Sequence, residues 1–145
     1  MPRNRRPAPV VILTGMDLVS GGPFTDWLGV RFDEADGDHV VVRWTADERM
    51  HQPVGIVHGG VHCSVVETLA SVGAQLWLGE QGREGHVVGV NNSTDFFRAV
   101  SEGDLTSVAT PVHRGRSQQV WLVETHDAER RLVARGQVRL QNLSA

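Results

Sequence analysis

Residues 58–78 contain no proline and no turn signal before Gly79, and they are apolar or small on almost every face. At about 1.5 Å per residue this run predicts one helix of roughly 30 Å. Gly59, Gly60, Ser64, Ala70, Ser71, Gly73 and Ala74 are interleaved in it with Val61, Val65, Val66, Leu69, Val72 and Leu76. A helix without an extended polar face has to be enclosed, so the rest of the chain must supply the enclosure.

The flanking segments read as strands. Upstream, residues 24–28 follow Gly21-Gly22-Pro23 and suit one or two helical turns ended by Gly29. Residues 30–35 and 39–46 are joined by Asp36-Gly37-Asp38, whose Asp-Gly chemistry suits the positive φ of a tight hairpin turn. A polar loop, 47–55, leads to the helix. Downstream come four β-type runs, 86–99, 105–113, 117–126 and 132–141, on connections too short for parallel crossovers. Two strands, a long helix and four more strands predict an α+β domain in which a curved antiparallel sheet wraps one long central helix. At 145 residues the chain has the length of one domain. Residues 1–9, rich in Arg, Asn and Pro, read as a flexible N-terminal arm, leaving residues 10–145 as the domain.

Composition narrows the chemistry. A net charge of −3 offers no electrostatic footprint for nucleic acid or an anionic membrane. No apolar run is long enough to span a bilayer, and the short apolar stretch 8–13 is broken by Pro9, unlike a signal peptide. All 14 basic residues are Arg, and Lys and Tyr are absent, which excludes a lysine Schiff base and a tyrosine acid. The single Cys63 cannot form an internal disulfide, which fits a reducing, cytoplasmic setting. His58 and His62 stand at i and i+4 with His51 upstream, but no Glu follows His58 as in a zinc-protease helix, so no metal site is expected.

The chemical information is concentrated in residues 52–71. His58-Gly59-Gly60 falls at the start of the helix, where free N–H groups and the dipole favour negative charge and glycine admits a ligand oxygen. Glu67 lies mid-helix among Val65, Val66 and Leu69, where a carboxylate is costly unless used or paired. Ser71 follows at i+4, on the same side. Gly59 and Glu67 are eight residues, hence about 12 Å, apart along the axis, too far to touch one reacting carbon. Two helices packed antiparallel about a two-fold axis would bring Glu67 of one subunit to His58-Gly59 of the other, so the spacing predicts a homodimer.

A polar residue, His-Gly-Gly after it at the sixth position, and an acid eight positions beyond the first Gly resemble the hotdog-fold acyl-CoA thioesterases, most closely the PaaI-like group. The likeness spans residues 24–141, including Phe96-Phe97-Arg98-Ala99 and the hairpin at Gly115-Arg116. It implies that the Gly59 N–H polarises the thioester carbonyl and that Glu67 is general base or nucleophile. It further implies that Gln52 and His58 position water and thioester, and that Ser71 is the hydroxyl one turn past the acid. Gly60, Phe97, Arg114 and Arg116 would bind substrate, the two arginines meeting the CoA phosphates if they are not simply solvated. Coenzyme A would enter as part of the substrate, with no other cofactor, in a dimer or dimer of dimers. The chain departs from the family at Ala99, where Pro is common, and on the third strand, where Phe97 and Gly89 stand near positions that some members fill with His or Ser. A hotdog hydratase or dehydratase and a non-catalytic acyl-CoA-binding protein are the alternatives. The first has a different His-to-acid spacing, and a sensor would normally carry a separate DNA-binding segment.

Overall fold

All strand pairings among the described residues are antiparallel. The computed structural model describes residues 22–145; the expected arm over residues 1–9 and the domain start at residue 10 lie outside the described residues. The order is α1 (Gly22–Leu28), β1 (Arg31–Ala35), β2 (Val40–Ala46), a 3-10 turn (Glu48–Met50), α2 (Gly59–Glu80), β3 (His86–Phe96), β4 (Gly103–Arg114), β5 (Gln118–Asp127) and β6 (Leu132–Leu143). They form one six-stranded sheet in the order β1-β2-β4-β5-β6-β3. From β2 the chain travels along α2 to the far side of the sheet, so β3 becomes an edge strand beside β6.

Helix α2 rests on the sheet through Val65, Val66, Leu69, Ala70 and Ala74, against a floor that includes Trp44, Trp121, Val123, Val138 and Leu140. Gly73 sets how closely it lies: a Cβ there would stand 2.6 Å from the Trp121 ring. The buried polar groups beneath are paired. The Trp44 indole N–H donates to Ser107 Oγ, and Gln119 bonds Ala74 O, Asn142 and Trp121. The enclosure is one-sided, however. Gly60, Ser64, Glu67, Thr68, Ser71 and Gln75 remain partly or fully exposed, because one chain's sheet covers only one face of a cylinder.

The 36–38 hairpin forms, but not through the positive φ expected of Gly37, which is absent from the left-handed glycines. Asp36 Oδ1 accepts from the N–H groups of Asp38 and His39 at 2.8 and 2.7 Å, a side-chain-built turn. Gly37 is needed for close approach: its N–H donates to Glu80 Oε1 at 2.8 Å, and a Cβ would lie 2.7 Å from Trp77 Cα.

Candidate active site

The start of α2 is held by hydrogen bonds from the preceding loop. The His51 Nε2–H donates to Ser101 O at 2.6 Å, Val57 N–H to Val100 O at 2.8 Å and His58 N–H to Met50 O at 2.8 Å. His58 is thereby fixed as the N-cap, with φ −61° and ψ 134°, and its Nδ1 accepts from the Gly60 N–H at 2.8 Å. Accepting at Nδ1 places the ring proton on Nε2. The Val61 N–H is bonded to His58 O at 2.9 Å. Of the first three helical N–H groups, only that of Gly59 finds no acceptor among the described residues, and it sits at the positive end of the dipole. The absence of a side chain at Gly59 lets the Phe96 ring lie close, since a Cβ there would meet the tip of that ring at 2.8 Å.

Gly59 lines a cleft of about 360 Å³ together with Gln52, His62, Phe96, Phe97 and Val100, among others. Gln52, Gly59 and Phe97 are thus brought together. The Gln52 Oε1 accepts from the Val54 N–H, which leaves its amide NH₂ as a further donor. Gly60 lies beside the cleft, with its N–H engaged by His58.

Glu67 lies about two turns further, roughly 12 Å along the axis, and does not line this cleft in the single chain. Its Oε2 accepts from Asn92 Nδ2 at 3.0 Å, and its Oε1 lies against Gly89, where a Cβ would be only 1.8 Å away. The third strand therefore contributes Asn92, a residue sequence reasoning missed. Ser71 stands one turn beyond, half-buried, with no hydrogen bond to the Glu67 carboxylate.

The sequence profile of the thioesterase superfamily matches residues 54–134. The chain belongs to the thioesterase superfamily. The thioesterase is 49% identical over 123 residues to the Mycobacterium tuberculosis protein Rv1847, covering 85% of this chain and 88% of that one, and the solved structure of that relative superposes with a TM-score of 0.82. It is 31% identical to the 1,4-dihydroxy-2-naphthoyl-CoA hydrolase of Escherichia coli, over 84% of this chain and 88% of the hydrolase. The E. coli PaaI structure, with a TM-score of 0.74 at 20% identity and coverage of 84% and 85%, shares the fold. The sheet and central helix are those of a hotdog fold, and the chain is a thioester hydrolase.

Two arginines of the thioesterase sit elsewhere. The Arg114 guanidinium donates to Gly37 O and Asp38 Oδ1, both at 2.6 Å, and stacks on Trp77 at 5.5 Å. Trp77 is about 27 Å along α2 from Gly59. Arg116 is exposed, and its carbonyl accepts from Arg83 and Asn142 at 2.7 and 3.2 Å. Cys63 is half-buried and contributes its carbonyl to Asn92. Among the described residues no group of three or more His, Cys, Asp or Glu is placed to hold a metal ion, and no helix is long and apolar enough to cross a membrane.

His62 is a finding of the structure. It is 4% exposed, lies edge-on to Trp44 at 5.6 Å and 5.9 Å from Phe96, and its Nδ1 has no partner among the described residues. Burial pushes its pKa down from 6.5 to about 4. Below 6.5 the unfolded chain takes up a proton that the folded chain refuses until about 4, so stability falls as pH drops through that window. The loss should approach about 3 kcal/mol. Urea unfolding of His62→Phe should lack this slope, and an unchanged slope would show that another group produces it.

Proposed function

We propose that the chain is an acyl-CoA thioesterase, hydrolysing an acyl-CoA to free acid and coenzyme A at a site shared by two subunits of a homodimer. The observation that carries this reading is the unengaged N–H of Gly59, a residue that lines the cleft at the helix start, with the only acid of the helix interior about 12 Å further along. The thioester carbonyl oxygen would accept from Gly59 N–H and the Gln52 amide, donors that strengthen as charge develops on it. Glu67 of the partner subunit would either draw a proton from a water that attacks the carbonyl carbon or attack that carbon itself; in both routes the C–S bond breaks and coenzyme A leaves, and in the second water then opens the anhydride formed on Glu67. The half-open stripe of α2 is a surface for the second helix. The edge strand β3 adds exposed Val88, Val90 and Phe96 to the apolar area available to a partner.

The rings of Phe96 and Phe97 beside Gly59 favour a flat aromatic acyl group, in keeping with the substrate named for the E. coli relative. A panel of aliphatic and aromatic acyl-CoAs assayed for thiol release tests this. CoA should appear without added metal, fastest from the aromatic thioesters, and chelators should leave the rate unchanged. No release from any thioester, or loss of activity on chelation, would overturn the reading.

A further inference from the structure

Glu67 is held by a strand that breaks its own period. In the pairing of β3 with β6, Gly89 lies opposite Leu140, Asn91 opposite Arg139 and Asn92 opposite Val138, with Val90 unpaired in between. Leu140 and Val138 are fully buried, on the face that α2 covers. Gly89 and Asn92 are three residues apart and would face opposite sides of a regular strand; the bulge at Val90 turns both toward α2. One gives the carboxylate room and the other gives it a donor.

Every hydrogen-bonding group of the Asn92 amide has a partner. Nδ2 donates to Glu67 Oε2 and to Cys63 O, each at 3.0 Å, and Oδ1 accepts from the Thr94 hydroxyl at 2.7 Å. A flipped amide would set its oxygen against a carboxylate and a carbonyl, so the network admits one orientation. The Thr94 hydroxyl occupies space that a side chain at Gly136 would take, since a Cβ there would stand 2.5 Å from its Oγ1.

We propose that Asn92, oriented by Thr94, is the positioning residue that locks the Glu67 carboxylate in its reactive rotamer. The inference rests on the reading of Glu67 as the catalytic acid. Glu67 is a flexible side chain on a half-open helix face. One charge-assisted hydrogen bond to Oε2, with Oε1 backed by the main chain at Gly89, selects a single position for it. The other oxygen face is left for water or the thioester. Asn92 touches neither and acts only through Glu67.

The test is a double-mutant cycle on the full-length enzyme with the best acyl-CoA of the panel. Asn92→Leu should lower kcat by about tenfold or more while KM stays within about threefold, the pattern of an interaction that matters in the transition state. In a Glu67→Gln background the same change should cost almost nothing further, because the group it acts through is gone. Thr94→Val should lower kcat by a few-fold, and Thr94→Ser, which keeps the hydroxyl, should restore it. Equal losses from Asn92→Leu in both backgrounds would assign Asn92 to structure alone and overturn the proposal, leaving Glu67 in place. Full activity in Glu67→Gln by itself would instead overturn the reading of Glu67 and the proposal with it. Should Asn92→Leu fail to fold, Asn92→Asp keeps the shape and turns the donor into a second carboxylate; wild-type kcat in that variant would equally overturn the proposal.

Discussion

Exchanging Glu67 for Gln should reduce turnover by at least about a hundredfold, the usual scale for removing a general base, while substrate binding and the fold persist. The structure explains why the fold should survive. A Gln oxygen can still accept from Asn92 Nδ2, the position lies on the half-open face of α2, and no ion pair among the described residues is broken. The space beside Gly89 that admits Oε1 admits an amide group of the same shape. Thermal unfolding should therefore shift little, and equilibrium binding of a non-hydrolysable acyl-CoA analogue should be close to wild type. A carboxylate that only satisfies Asn92 predicts the reverse pattern, with some stability lost and turnover nearly intact. Steady-state rates and unfolding curves on the same preparation decide between the two outcomes. A variant with wild-type turnover would remove Glu67 from the chemistry.

How much of this was legible in the sequence depends on how local each signal is. The helix expected over residues 58–78 forms as Gly59–Glu80, and a strand forms in each of the four later β-type runs, the first ending at Phe96 rather than at Ala99. The 36–38 turn was legible as a turn, but the reason for Gly37 was not. That reason is the approach of Trp77 and Glu80 from the far end of α2, which leaves no local trace. The pattern of the helix start was readable, whereas the division of labour within it was not. Whether His58 or the incoming ligand takes the Gly60 N–H depends on a rotamer set by the loop beneath. Asn92 was missed because period-two reading puts it on the opposite face from Gly89, and a bulge is invisible to that reading. The signal that could have found it is two consecutive asparagines, poor strand formers, in the middle of a strand. Arg114 reads as a solvated or ligand-binding charge from its place beside a hairpin turn, yet in the chain it bridges that hairpin to the one at Gly37 and covers Trp77.

Two inactive variants should restore activity when mixed. Glu67→Gln lacks the acid, and Gly59→Pro lacks the N–H proposed to meet the thioester oxygen. The second substitution suits its position. Pro is favoured at the first residue of a helix, and the preceding His58 already has the extended ψ of 134° that a following Pro demands. The nearest obstacle is the tip of the Phe96 ring, a side chain 53% exposed and free to swing aside. Under the proposed shared site, each variant alone would form dimers in which both sites lack one group. In a mixed dimer, one site combines Gly59 from the first variant with Glu67 from the second, and the other site has neither. With random exchange half the dimers are mixed and one site in two of each is intact, so an equimolar mixture should reach about a quarter of wild-type turnover. If each chain instead completed its own site, every site in the mixture would still lack one group and no activity would return. The measurement is CoA release before and after subunit exchange, with exchange followed by native mass spectrometry of one isotope-labelled variant. Exchange without recovery would place Gly59 and Glu67 in separate roles, because about 12 Å along a single rigid helix does not allow both to act on one carbon.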